Sequence, residues 1–191
     1  MDGKKTLGLA LCGSYWTYET LCAAAAPLAE QYDLIPILSE TAAETDSRFG
    51  TAAAHIKALM ALTGKPVVTT IAEAEPLGPA RPMDALLIAP CTGNTLAKLS
   101  HGITDSAVLM AAKAHLRNGR PVIIALSTND GLSGSAENIA RLLNRKHIYF
   151  VPFGQDAPEK KPNSLQADFD QLLPAVEAAL AGRQLQPILR R

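Results

Sequence analysis

Residues 84–89 form a short, almost wholly apolar run that empties into Pro90, Cys91, Thr92, Gly93, Asn94 and Thr95 before two helical segments begin. A strand that breaks into small hydroxyl and amide residues sets a polar mouth at the carboxyl edge of a sheet, where open α/β folds bind nucleotides and cofactors. Asn94 and Asp105 also read as ordinary caps for the two helices, which leaves the turn a purely structural alternative.

The rest of the chain repeats this alternation. Apolar residues 6–12 make a first strand, broken by Gly13 and Ser14 before a helix over about 17–31. Residues 34–38 make a second strand closed by Ser39, and a polar loop with Asp46, Arg48 and Phe49 leads to a helix over 51–62 that Gly64 ends. Residues 67–70 are a weak third strand and 84–89 a fourth; the proline-glycine loop 74–82 between them is too rich in breakers for a long helix. A helix over 106–117, a nearly pure apolar strand over 121–126, a helix over 136–144 and a last strand over 147–152 follow. An amphipathic helix over 165–180 closes the pattern. The expected architecture is a doubly wound, mostly parallel sheet in a three-layer α/β/α sandwich, Rossmann-like or flavodoxin-like, in strand order 3-2-1-4-5-6. A length of 191 residues suits one domain over 1–191, with 183–191 a mildly apolar tail that could dock on a neighbouring protomer or fold back.

Composition removes several classes of function. Eighteen basic and eighteen acidic residues balance to zero charge, and no basic run traces a phosphate backbone, so nucleic acid is not an expected partner. Cys12, Cys22 and Cys91 are too scattered for a disulfide framework and lack histidines at ligand spacing, so neither a metal site nor an oxidising compartment is indicated. The short apolar run at the amino terminus meets Gly13 at once, too soon for a signal peptide or a membrane span, and a cytoplasmic protein is expected.

Four loops should converge on one sheet edge: Gly13-Ser14, Ser39, Thr92-Gly93-Asn94-Thr95, and Ser127-Thr128-Asn129. Their uncharged hydroxyls and amides can bond a phosphate, a ribityl chain or a flavin edge without burying an unpaired charge, although the same residue types are common caps. The first turn lacks the G-x-G-x-x-G spacing of a dinucleotide fingerprint, which disfavours NAD there and leaves mononucleotide or anion binding. An anion is expected between Gly13-Ser14 and Thr92 to Thr95, where helix amino termini meet. Arg48, Lys160 and Lys161 would suit a dicarboxylate if their loops reach the site. His55, His101 and His115 read as surface histidines and His147 as the opening of a strand. Cys91 reads as a buried thiol without a base, so no catalytic residue is assigned. Tyr15, Trp16 and Tyr18 cluster beside the first turn, where a ring ligand, an interface between protomers or simple core packing would use them.

With these residues in view, the chain resembles the flavoprotein family of homo-oligomeric, FMN-containing cysteine decarboxylases and prenyl-FMN synthases. Gly13-Ser14, Ser39 and the run Ala89 to Thr95, with Lys98, Gly102, Asp105 and Ser106 downstream, carry the resemblance. It implies flavin phosphate near the first turn and flavin beside Asn94 and Thr95, with Ser14 and Ser39 as further cofactor-binding candidates. Longer segments, 45–50, 67–79, 103–122, 127–130 and 148–165, are similar to the B-subunit family of dipicolinate synthases. That resemblance implies a partner A subunit carrying NADP, a small dicarboxylate as ligand, and conversion of a dihydrodipicolinate-level intermediate to dipicolinate for endospores. An FMN-dependent cysteine decarboxylase and a non-catalytic stabilising component are the alternatives. The decarboxylase is disfavoured because residues 73–76 lack that group's histidine and residues 127–131 lack its methionine-asparagine clamp.

Overall fold

The apolar runs become parallel strands because each is buried on both faces, so no alternation of polar residues is needed. In a computed structural model that describes residues 3–78, 80 and 83–190, β1 (Thr6–Leu11) pairs with β2 (Asp33–Leu38) on one side and β3 (Ala85–Cys91) on the other. Beyond β3 lies β4 (Val122–Thr128), which pairs with β5 (Ile148–Phe150) through Val122 to Ile124. All of these pairings are parallel. The register between β3 and β4 shifts between Ile88 and Cys91, around Pro90, which has no N–H to give to a ladder.

Helices cover both faces. On one, α1 (Tyr18–Gln31) packs on α3 (Ala52–Thr63) and α8 (Leu172–Leu180). On the other, α6 (Ala107–Leu116) packs on the short α4 (Ile71–Ala74) and on α5 (Gly93–His101), which meets α7 (Ala136–Leu143). The result is the expected three-layer sandwich with a mostly parallel, mixed sheet. Leu9, Ile37, Leu87, Ile124 and Phe150, all at 0% exposure, mark the core between the layers.

The structure corrects the sequence reading in several elements. Residues 67–70 are not a strand; Val68 makes a single parallel bridge to Ile37, which still puts this segment outside β2 as the expected order requires. Ser39 is followed by an additional five-residue helix, α2 (Glu40–Glu44). The caps of α5 and α6 are Thr92 and Ser106, whose hydroxyls accept from Thr95 and Leu109 N–H; Asn94 lies inside the first turn of α5 and Asp105 pairs with Lys98. The helix expected over 165–180 begins only at Leu172. Before it come strand β7 (Leu165–Ala167) and a 3-10 turn over Phe169–Gln171, because Asp168 accepts the N–H of Asp170 and breaks the run. Strand β7 pairs antiparallel with β6 (Phe153–Gly154) and with the end of β4 at Ser127 and Thr128. Two neighbours therefore share one edge of β4, parallel β5 below and antiparallel β7 above.

The tail folds back on its own protomer. Gln184 exchanges hydrogen bonds with the backbone of Phe150 at 2.8 and 2.6 Å, Phe153 N–H donates to Ile188 at 2.9 Å, and Arg190 N–H donates to Phe153 at 2.9 Å. Arg191 and, in the proline-glycine loop, Pro79, Arg81 and Pro82 lie outside the described residues. Among the described residues no helix is long and apolar enough to cross a membrane.

Candidate functional site

Right-handed crossovers bring the ends of β1, β2, β3 and β4 to one edge. Two adjoining cavities open there. The larger, about 900 Å³, is floored by Ser14, Gly93, Ser127 and Thr128, flanked by Asn138 of α7, and bounded by Trp16, Asp130 and Lys161. The smaller, about 300 Å³, is lined by Ser39, Thr41, Thr95, Lys98 and Ser106. Gly13, Thr92 and Asn94 line both. The structure thus brings together Gly13, Ser14, Ser39, Thr92, Gly93, Asn94, Thr95, Ser127 and Lys161. It does not bring Arg48 or Lys160: neither lines these cavities, and Arg48 stacks its guanidinium on Phe49 at 4.8 Å.

Short hydroxyl contacts hold the floor. The Ser14 and Ser127 hydroxyls lie 2.9 Å apart in a buried pair that ties the turn after β1 to the end of β4. Thr92 donates to the Thr95 hydroxyl at 3.2 Å, and Thr95 donates to the Cys12 sulfur at 3.2 Å. Burial pushes the Cys12 thiol up to about 11 and raises Cys91 well above the ordinary range, so both are neutral packing thiols at neutral pH. Ser39 and Ser106 accept helix N–H groups from Ala42 and Leu109, each at 3.3 Å, and their own hydroxyl hydrogens are not used among the described residues. Lys98 reaches Asp105 at 2.7 Å across the mouth of the smaller cavity.

The loop between β6 and β7 forms the far wall of the larger cavity. It is fastened by Gln155 to the carbonyl of Pro162 at 2.7 Å and by Leu132 N–H to the carbonyl of Asn163 at 3.0 Å. Lys161 consequently stands 5.5 Å from the centre of the Trp16 ring and 3.3 Å from Asp156. Trp16 is 46% exposed on this rim, whereas Tyr15 and Tyr18 turn inward against His55, with Tyr18 donating to the Cys12 carbonyl at 2.6 Å.

Sequence reasoning offered Trp16 to a ring ligand, an interface or the core, and the structure puts it on the cavity rim; it missed Asp130, Ser135 and Asn138. Asp130 directly continues the Ser127-Thr128-Asn129 loop, and Ser135 and Asn138, three apart, place both side chains on one face at the start of α7, so a signal was present for these three. Asp130 Oδ1 accepts from Thr128 and, at 2.8 Å, from Ser135. Two histidines, His115 and His55, depart from the surface reading, and His101 keeps to it. His115 is fully buried, both ring nitrogens without a partner among the described residues, and burial, aided by the Arg120 charge, lowers it to about 4. His55 is half-buried, with Nε2 unpartnered. His101 is exposed, against the Ala97 carbonyl and Arg141. Glu73, in the segment without the decarboxylase histidine, is spent on a capping box with Thr70.

Known proteins are similar to this chain in both sequence and fold. The model of the flavoprotein family matches residues 1–167. The chain is 46% identical over 186 residues to the dipicolinate synthase B subunit of Bacillus subtilis (strain 168), across 97% of this chain and 93% of that protein. The crystal structure of the dipicolinate synthase B subunit from Bacillus halodurans C superposes with a TM-score of 0.90 at 44% identity, covering 100% of this chain and 99% of that one. The FMN-dependent cysteine decarboxylase SpaF shares the fold at a TM-score of 0.62 and 22% identity, over 93% of this chain and 95% of its own.

Proposed function

The chain belongs to the flavoprotein family, within it to the dipicolinate synthase B subunits, and from that premise we propose that it supplies the B component of a dipicolinate synthase completed by a dehydrogenase-like A component. The reaction takes a hydroxylated tetrahydro ring through a dihydrodipicolinate-level intermediate to pyridine-2,6-dicarboxylate, the diacid of bacterial endospores. Aromatisation drives it, and NADP on the A component accepts the hydride. The observation that carries this reading is the larger cavity. Its uncharged polar floor, one aromatic wall at Trp16 and one cation at Lys161 suit a flat ring bearing carboxylates. The free thiols of Cys12, Cys22 and Cys91 support a cytoplasmic setting.

Members of this fold such as SpaF are FMN-dependent. The donor set of the smaller cavity fits the phosphate and ribityl end of FMN. Ser39 and Ser106 accept from helix N–H groups and keep a hydrogen to donate, Asn94 offers an amide, and the amino terminus of α5 gives a positive field without net charge. Bound FMN would supply a two-electron acceptor. The residues of this chain bind the ring diacid, orient it and screen it from water.

The test is reconstitution. Each purified component and their mixture are assayed for dipicolinate formation, with and without NADP and with and without FMN. The expected result is activity of the mixture well above that of the A component alone. Full activity of the A component by itself would leave this chain no essential part in the chemistry.

A further inference from the structure

The side chains lining the larger cavity include one carboxylate, among the described residues, and it is that of Asp130. The others are hydroxyls, amides, glycines, the apolar Ala97 and Pro162, an indole and the ammonium of Lys161. The histidines lie elsewhere, and Cys12 and Cys91 do not line this cavity.

Asp130 is placed with unusual care for a loop carboxylate. Its Oδ1 is held by the Thr128 and Ser135 hydroxyls, while Oδ2 has no hydrogen-bond or ion-pair partner among the described residues. Gly93 closes on it from α5: a Cβ there would stand 3.0 Å from Oδ1 and 2.6 Å from the Thr128 hydroxyl. Oδ1 ties down the loop, and Oδ2, which is not shut away from solvent, is left to meet what enters the cavity. The amino terminus of α5 and Lys161 offset the repulsion between this charge and an incoming dicarboxylate.

We propose that Asp130 is the proton acceptor for the loss of water, so that dehydration belongs to this chain and oxidation to its partner. This rests on reading the larger cavity as the place of the ring diacid. The substrate class is a cyclic imine dicarboxylate with a hydroxyl on the carbon β to the imine carbon. Asp130 Oδ2 removes a proton from the carbon between them, made acidic by the adjacent C=N. The electron pair of that C–H bond forms the new ring C=C as the neighbouring C–O bond breaks. The departing hydroxyl takes the proton from Asp130 and leaves as water. The carboxylate is regenerated, no electrons leave the ring, and no oxidant enters this step.

The experiment uses the full chain without its partner and without nicotinamide. Water loss from the hydroxylated tetrahydropyridine diacid is followed by the absorbance of the conjugated product, above the uncatalysed rate. Dipicolinate binding is read in parallel from the fluorescence of Trp16, the one tryptophan in the sequence. Asp130→Asn keeps an oxygen for Thr128 and Ser135 and removes the proton acceptor, so the accelerated rate should fall about 10²–10⁴-fold while dipicolinate binding is kept or tightened by loss of the repelling charge. An unaltered rate in this variant overturns the proposal, as does a wild-type chain that binds dipicolinate and gives no acceleration. A wild-type chain that binds no dipicolinate fails the cavity reading, and the proposal with it. Should Asp130→Asn not fold, Asp130→Glu decides: its displaced carboxylate should slow water loss at least about tenfold with binding kept, and an unchanged rate refutes the assignment.

Discussion

His115 is the residue whose placement has the plainest consequence for stability. In the unfolded chain its imidazole protonates near 6.5, while in the folded protein burial holds it to about 4, so between those values the unfolded state binds a proton that the native state refuses. Stability therefore falls as pH drops from 6.5 towards 4, by on the order of 3 kcal/mol from this residue. His115→Leu removes two unpartnered buried nitrogens at little change in volume, and chemical denaturation should find it within about 1 kcal/mol of the parent at pH 7. The same variant should lose part of the acid limb between pH 6.5 and 4; an identical limb would show that His115 does not contribute. The sequence could not announce this. His115 sits in a helix beside Arg117 and reads as a surface residue, and only the packing of α6 against the sheet puts it inside. Lys161 and Lys160 are adjacent and chemically alike in the sequence, and the turn of one loop decides which meets Trp16.

At the scale of elements, the parallel core was legible because its strands are continuous apolar runs, and even residues 67–70 lie on the expected side of β2. Ser14, Asn94 and Ser127 could be placed on one edge since each follows a strand. The β6/β7 hairpin was not legible: two and three residues carry too little periodicity, and Leu165, Phe169 and Leu172 happen to repeat at helical spacing. Helix α2, at five residues, is shorter than any pattern can report. The tail latches this hairpin in place through Gln184 on Phe150 and through Ile188 and Arg190 on Phe153, with Arg190 also 3.2 Å from Asp168. Ending the chain at Arg183 removes four hydrogen bonds of about 1 kcal/mol each, and the melting temperature should fall by about 10 °C. An unchanged melting temperature would mean that the tail is only laid on the surface.

For the whole molecule, the cavity mouth is a surface that a neighbour would cover. Trp16, on the rim, is 46% exposed, and Leu132, two residues beyond Asp130, is 52% exposed. Light scattering at micromolar concentration should give a mass above the 20.2 kDa of one chain, and Trp16→Glu should lower it; a lone monomer in both would remove self-association from the account. The two-sided edge of β4 has a further consequence, in time rather than space. The parallel strands β2, β1, β3 and β4 are all synthesised by Thr128, but the wall carrying Lys161 waits for β7, and the latch waits for Gln184, Ile188 and Arg190. Translation therefore lays down the floor of the larger cavity before its far wall, and a chain made only to Thr128 holds Ser14, Gly93 and Ser127 without the rim that Lys161 supplies.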